Sequence, residues 1–182
     1  PLGHPLTHPS LIMTPRSFLP PPFAPQFPIA SDFSKSVAYF SMEFAIDPSF
    51  KIYSGGLGFL AGSHMRSAAA LQQNLVGIGI HWTCGYYNQT RGDGGEMAVQ
   101  YRRKHPAFLR ETGLEFQIRI YDQDVWLRAL YLSPEIFGTV PMFFLTSDDD
   151  RNSAFSRSFT QRLYDQDPTC LLYTSPSPRD RG

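Results

Sequence analysis

The residues best suited to chemistry are Tyr53-Ser54-Gly55-Gly56-Leu57-Gly58-Phe59-Leu60-Ala61-Gly62, where three glycines fall within four positions as an apolar helical repeat begins. The first amides of a helix lack internal partners, and the helix dipole places partial positive charge there. Glycine lets a bulky anion approach the backbone. Gly55, Gly56, Leu57 and Gly58 therefore read as an anion site, most naturally for phosphate. A tight turn that requires glycine is the plainer alternative. Two other phosphate loops fit poorly. The Walker pattern places Lys-Ser or Lys-Thr after its last glycine, and here Gly62 is followed by Ser63-His64. The dinucleotide fingerprint follows its strand directly and meets an acid at the tip of the next strand. Here Glu43 to Ser54 intervene, and the next apolar run ends in His81-Trp82.

Glu43 follows the apolar run Val37–Met42. The carboxyl ends of strands line ligand crevices in open α/β sheets. A carboxylate there is placed to orient loop amides or a sugar hydroxyl; a solvated loop acid is the alternative. His64 reads as a packed or hydrogen-bonded histidine on or near the apolar face of the helix. His4, His8, His81 and His105 show no ligand cluster, so no metal is expected. Asp148–Asp150 reads as a solvated loop. Trp82, Tyr86 and Tyr87 read as core or cleft-wall residues, with stacking on a sugar as the alternative.

The elements that must position these residues follow from periodicity. Val37–Met42 has the character of a buried strand. Leu57, Leu60, Ala61, Met65, Ala68 and Leu71 mark one apolar face of a helix over 57–73. Leu75–Ile80 is a second buried strand and Val140–Leu145 another. Phe116–Ile120 and Val125–Leu132 alternate as a hairpin around the turn residues 121–124. Strand, helix, strand, antiparallel insertion and strand make an α/β pattern with an added hairpin. Before this folded zone of about 37–169, residues 1–36 are Pro-rich and read as extended and poorly ordered. After it, Cys170–Asp180 has no periodicity. Its residues match one reading frame of a transposon-type sequencing adapter, so the tail reads as non-native and the natural protein as longer.

Composition narrows the function classes. Sixteen basic and sixteen acidic residues leave zero formal net charge, which lacks the basic excess of a nucleic-acid footprint. No apolar run reaches the length that spans a bilayer, and the start lacks the order of a secretory signal. Two cysteines, Cys84 and Cys170, support neither a disulfide framework nor a four-ligand zinc site. A cytoplasmic protein is the default expectation.

Several motifs in succession resemble one family. Val37-A-Y-F-S-M-E-F44, I-Y-S-G-G-L-G-F-L-A-G, S-A-A-A-L, V-G-I-G-I and G-Y-Y-N-Q89 are similar, in order and spacing, to amino-terminal motifs of the α-glucan phosphorylases, closest to their short-form branch. Val140-P-M-F-F-L145, Asp148–Asp150 and Arg162-L-Y-D165 resemble the same branch. The resemblance implies a GT-B fold of two Rossmann-like lobes, this chain supplying part of the amino-terminal one. It implies phosphorolysis of α-1,4-glucan ends by inorganic phosphate to glucose 1-phosphate, with pyridoxal 5'-phosphate as cofactor. It places the substrate phosphate on the amides of Gly55 and Gly56 and the glucosyl unit against Leu57, with Glu43 in support. The family's cofactor lysine has no counterpart here: Lys35, Lys51 and Lys104 are the chain's lysines, and none lies in such a motif. The chain alone is therefore expected to bind no cofactor and to be inactive. Ser63 stands where the branch carries Asp, and Ala70 and Gln72-Gln73 replace its Asp-Leu-Gly turn, which puts the helix end in doubt. A starch-synthase-like nucleotide-sugar glucosyltransferase and a freestanding glucan-binding module are the rival readings. The first typically carries Lys before Thr-Gly-Gly-Leu-Gly, where this chain has Ile52-Tyr53-Ser54.

Overall fold

The computed structural model describes residues 27–120 and 122–164. The Pro-rich start before Phe27, Asp165 and the tail from Cys170 lie outside the described residues. Within them the chain forms a mixed α/β domain with two sheets. Strand β1 (Val37–Phe40) leads by a loop to helix α1 (Gly56–Ala70) and then to β2 (Leu75–Ile80). A small hairpin, β3 (Asn88–Arg91) and β4 (Met97–Gln100), precedes the long strands β5 (Leu109–Ile120) and β6 (Gln123–Leu132). Short helix α2 (Pro134–Phe137), strand β7 (Met142–Thr146) and helix α3 (Ala154–Ser158) complete the order.

The main sheet runs β1-β2-β7-β6-β5. β1, β2 and β7 are mutually parallel, whereas β6 is antiparallel to both β7 and β5. The β5–β6 hairpin expected from alternation is present, but it is not an appendage: β6 pairs directly with β7 and extends the sheet. β5 begins earlier than its alternation indicates. The register shifts between Glu111 and Glu115, where Gly113 has φ 71° and the Thr112 hydroxyl donates to Ala129 O at 2.6 Å. Such a bulge breaks the period-2 signal along the strand. The β3–β4 pair is a separate two-stranded sheet and was not expected. Apart from Ala98 its residues are polar or exposed, so no apolar alternation announces it.

Helix α1 sits in the parallel β1–α1–β2 crossover. Its buried positions are Gly58, Ala61, Gly62, Met65 and Ala68, which recur every three or four residues. The larger Leu57, Leu60 and Leu71, expected on the buried face, are exposed. The reason is the close approach of α1 to the loop after β1. Ala45 N donates to Gly58 O at 2.8 Å, and a Cβ on Gly62 would lie 2.2 Å from Ala45 O. A helix touching backbone at that distance must present its smallest residues. Beyond this seam Met65, Phe44, Phe50, Ile52, Met142, Phe144 and Leu163 form the core.

Within 27–36 the chain is anchored, which corrects the expectation of an extended, poorly ordered segment as far as Ser36. Phe27 packs on the core, Ser31–Phe33 makes a 3-10 turn, Ala30 N donates to Gln72 O at 2.9 Å, and Asn74 Nδ2 donates to Ser34 O at 2.9 Å. The acidic loop is also corrected. Asp148 is held by Arg103 and Arg157, and Asp149 by Arg128 and Arg151. Arg151 also lies over the Trp126 ring at 4.1 Å. Its bonds to Asp149 hold that carboxyl down to about 2. Asp150, although 3.1 Å from Arg157, is the member that stays solvated. Asn152 closes the same corner, donating to Trp126 O and Ser147 O and accepting from Trp126 N.

At the end of α1, Gln72 takes φ 53°, and Gln73 N donates to Ala68 O at 2.9 Å. This is the left-handed closing position that glycine favours. Replacing Gln72→Gly removes about 0.5–1 kcal/mol of left-handed strain, net of the freedom glycine adds to the unfolded chain. Urea denaturation should show that gain; unchanged or lower stability refutes the strain.

Candidate functional site

The carboxyl ends of β1 and β2 and the amino end of α1 meet at one edge of the sheet, where ligand crevices form in open α/β sheets. The chain leaves β1 at Phe40, turns through Ser41 and Met42, and buries Glu43 at 1% exposure. Ser41 Oγ donates to Glu43 O at 2.8 Å and fixes the turn. The Glu43 carboxylate accepts from Ser54 N at 2.9 Å, from Ser54 Oγ at 3.3 Å, from Gly55 N at 3.4 Å and from the Tyr164 hydroxyl. Both oxygens are thereby supplied with donors, which a buried carboxylate requires. Of its two sequence readings, Glu43 orients the loop amides; it is not solvated.

This arrangement sorts the glycines. Gly58 is buried, and a Cβ on it would lie 2.5 Å from Tyr53 Cβ and 3.2 Å from Glu43 Oε2. It is glycine because α1 starts flush against the Glu43 turn. Gly55 caps α1 and turns its amide toward Glu43, away from solvent. Gly56 and Leu57, the first residues of α1, carry the amides that the helix cannot satisfy. Both residues are exposed, and a Cβ at Gly55 or Gly56 would meet nothing within 4 Å. The structure thus brings Glu43, Gly55, Gly56, Leu57 and Gly58 together and divides them into an inner group that fixes the loop and an outer pair that faces open space.

Other candidates fall elsewhere. His64 is exposed on α1, with its ring centroid 4.9 Å from that of Tyr39, so it is a surface contact and not part of the packed face. Trp82 is 3% exposed and donates from Nε1 to Met42 O at 2.8 Å, which ties the end of β2 to the Glu43 turn. Tyr86 packs on the core and against Tyr87, ring centroids 4.2 Å apart. His81 is 8% exposed, and burial pushes its imidazole down to about 4 against a partial opposing pull from Asp148. Tyr164, 121 positions from Glu43, is a site residue that spacing does not reveal. Nothing in the sequence near either residue signals the pair. Among the described residues no three His, Cys, Asp or Glu side chains group as metal ligands, and no helix is long and apolar enough to cross a membrane.

The pyridoxal phosphate implied by the resemblance does not fit the residues present. Lys35 and Lys51 are exposed. Lys104 faces a cavity of about 160 Å³ whose lining offers no carboxylate for a pyridine nitrogen.

No family model matches the chain. Among curated proteins it is 50% identical over 131 residues to an uncharacterized protein of Methanocaldococcus jannaschii, covering 72% of this chain and 25% of that one. It is 34% identical over 139 residues to a glycogen phosphorylase of Mycobacterium tuberculosis, covering 72% of this chain and 16% of the relative. It is 32% identical over 136 residues to a maltodextrin phosphorylase of Thermococcus litoralis, covering 70% and 16%. The chain spans a quarter or less of the length of these relatives. It is distantly related to several glycogen and maltodextrin phosphorylases, a link at the level of the glycan-phosphorylase superfamily.

Two outcomes are expected. Glu43→Leu leaves the amides of Ser54 and Gly55 without their acceptor and lowers stability by about 1.5–3 kcal/mol. Amide exchange at Ser54 and Gly55 quickens in step. Exchange rates equal to wild type contradict the clamp. For His81, the folded state holds the imidazole neutral, so between about pH 4 and 6.5 the unfolded chain binds more protons. Stability therefore rises with pH across that window and is fully present above it. The fall from 6.5 to about 4, at about 1.36 kcal/mol per tenfold change in proton affinity, amounts to about 3 kcal/mol. Urea midpoints at intervals from pH 4 to 7 read this slope, and His81→Asn should flatten it.

Proposed function

We propose that the chain is the amino-terminal part of an α-glucan phosphorylase of the short-form branch. In that reading its α/β domain forms part of the first Rossmann-like lobe of a GT-B transferase, with the second lobe supplied by the rest of a longer protein. The parent phosphorolyses α-1,4-glucan ends to glucose 1-phosphate, using pyridoxal 5'-phosphate held outside this chain. The observation that carries the reading is the exposed start of α1 at Gly56 and Leu57, whose amides a helix leaves without internal partners, next to a loop that buried Glu43 fixes. An oxyanion on those amides gains from dipoles that need no reorganisation, and a developing oxocarbenium on the adjoining sugar gains from the oxyanion. Relatives named glycogen and maltodextrin phosphorylases support the substrate class.

Incompleteness of the site agrees with this. Phe40 at 70%, Phe59 at 59% and Leu60 at 67% exposure lie on β1 and α1, and β1 has no outer neighbour among the described residues. Apolar surface and an unpaired strand edge of that kind are usually covered. The 182-residue chain alone should show no phosphorolysis.

In the full-length parent, Gly56→Val fills the open approach to the two amides. Phosphorolysis with malto-oligosaccharide and inorganic phosphate should fall by at least about a hundredfold in kcat/KM, the magnitude typical of losing one oxyanion donor. Glucose 1-phosphate release measured against phosphate concentration is the readout. A parent that releases no glucose 1-phosphate from any α-1,4-glucan refutes the reaction; a Gly56→Val variant with unchanged phosphate dependence refutes the site.

A further inference from the structure

A second feature is independent of the glycine loop and of the family relationship. Lys104 lies in the irregular segment between β4 and β5. Its backbone N–H donates to Thr83 O at 2.7 Å, which pulls the residue under the end of β2. Its Nζ is sealed from solvent and has no hydrogen-bond partner among the described residues. Lys104 is among the residues that line a cavity of about 160 Å³, with Phe50, His81, Trp82, His105 and Phe108. Lys51 joins the lining, with its Nζ donating to Asn88 Oδ1 at 3.3 Å, and no carboxylate does. The nearest acid that His81 senses, Asp148, is engaged by Arg103 and Arg157.

An ammonium buried without a partner costs several kcal/mol, and proteins relieve that cost with a counter-charge. Burial, with Lys51 repulsion second, already pulls the Lys104 amine below its usual range. The walls are set by packing that does not depend on the lysine: the Phe108 ring meets Phe50 edge-on at 5.2 Å and Phe137 at 5.1 Å. The volume is well below the roughly 300–1,000 Å³ of drug-sized pockets, so the occupant is small. Neutral His81 and the His105 imidazole add donors that suit oxygen acceptors.

We propose that this cavity is a binding site for a small oxyanion, with the Lys104 ammonium as its counter-charge and Lys51, His81 and His105 around it.

Inorganic sulfate is the probe, titrated into the 182-residue chain at ionic strength held constant with sodium chloride. The His81 and His105 ring resonances should shift saturably in wild type and in Gly56→Val, and should not respond in Lys104→Met. Retention in Gly56→Val separates this site from the glycine loop, so loss of either proposal leaves the other standing. Should Lys104→Met fail to fold, competitive acylation of wild type serves instead. At sulfate ten times its dissociation constant, labelling of Lys104 should slow about tenfold while Lys35 is unaffected. Acetate in place of sulfate distinguishes a carboxylate site from one for a tetrahedral oxyanion. Ring resonances that do not saturate, a Lys104→Met variant that still responds, or Lys104 labelling indifferent to both anions would each overturn the proposal.

Discussion

A buried carboxylate with its donors in place organises the edge of the domain where β1, β2 and α1 meet. Glu43 gathers the amides of Ser54 and Gly55, the Ser54 hydroxyl and the Tyr164 hydroxyl around one group at 1% exposure. The groups come from three separated stretches of chain: the turn after β1, the start of α1 and the segment after α3. Core packing of Leu163 and the bond from its N–H to Gly85 O bring the last of these alongside. A charge left buried with fewer donors would cost several kcal/mol, so the site forms whole or not at all. The same demand dictates the glycines. Gly58 and Gly62 let α1 press against the Glu43 turn, because a Cβ at either position would collide with Tyr53 or with the Ala45 backbone. Carboxylate and seam reinforce each other, since the close approach is what brings the first amides of α1 within reach.

Much of this was legible in the sequence, and the parts that were not have definite causes. β2 and β6 show in the apolar runs because burial alternates along β2 and the first half of β6. The glycine cluster marked the start of α1 to within one residue. The orientation of α1 was misread because periodicity weights large apolar residues. Leu57, Leu60 and Leu71 lie at helical spacing, yet contact distance selected Gly58, Ala61, Gly62, Met65 and Ala68. The β3–β4 hairpin escaped for the opposite reason: its strands bury little, and a Gly-Asp-Gly-Gly turn by itself fixes no strands.

The charged groups were harder still. Asp148–Asp150 looks like a hydrophilic loop on any composition scale, and the partners that make it structural are Arg103, Arg128, Arg151 and Arg157, spread over more than fifty positions. Long-range pairings such as Arg103 with Asp148, or Glu43 with Tyr164, leave no trace in local spacing. The buried strand expected over Val37–Met42 is a largely exposed edge strand that stops at Phe40, so Glu43 follows a turn and not the strand itself, and both readings of it were open. Only the donor count around the buried group decides between them, and that is a property of the fold.

The electrostatics at the α1 amino end constrain what the loop can do. A helix terminus contributes roughly 0.3–1 kcal/mol toward an exposed anion, rising to about 2 in partly buried geometry. The Gly55 amide is already spent on Glu43, so the outer donors are those of Gly56 and Leu57. Glu43 also carries negative charge directly behind the loop, which opposes any incoming anion. Arg66, the basic side chain on α1, donates to Ile46 O and is not directed at the loop. Two amides and a partial dipole, set against a buried carboxylate, orient an oxyanion but do not hold a dianion tightly. In the proposed phosphorylase, tight binding at this edge therefore calls for cations beyond those of the loop. In that reading the domain contributes position and rigidity, and most of the binding free energy comes from the rest of the parent.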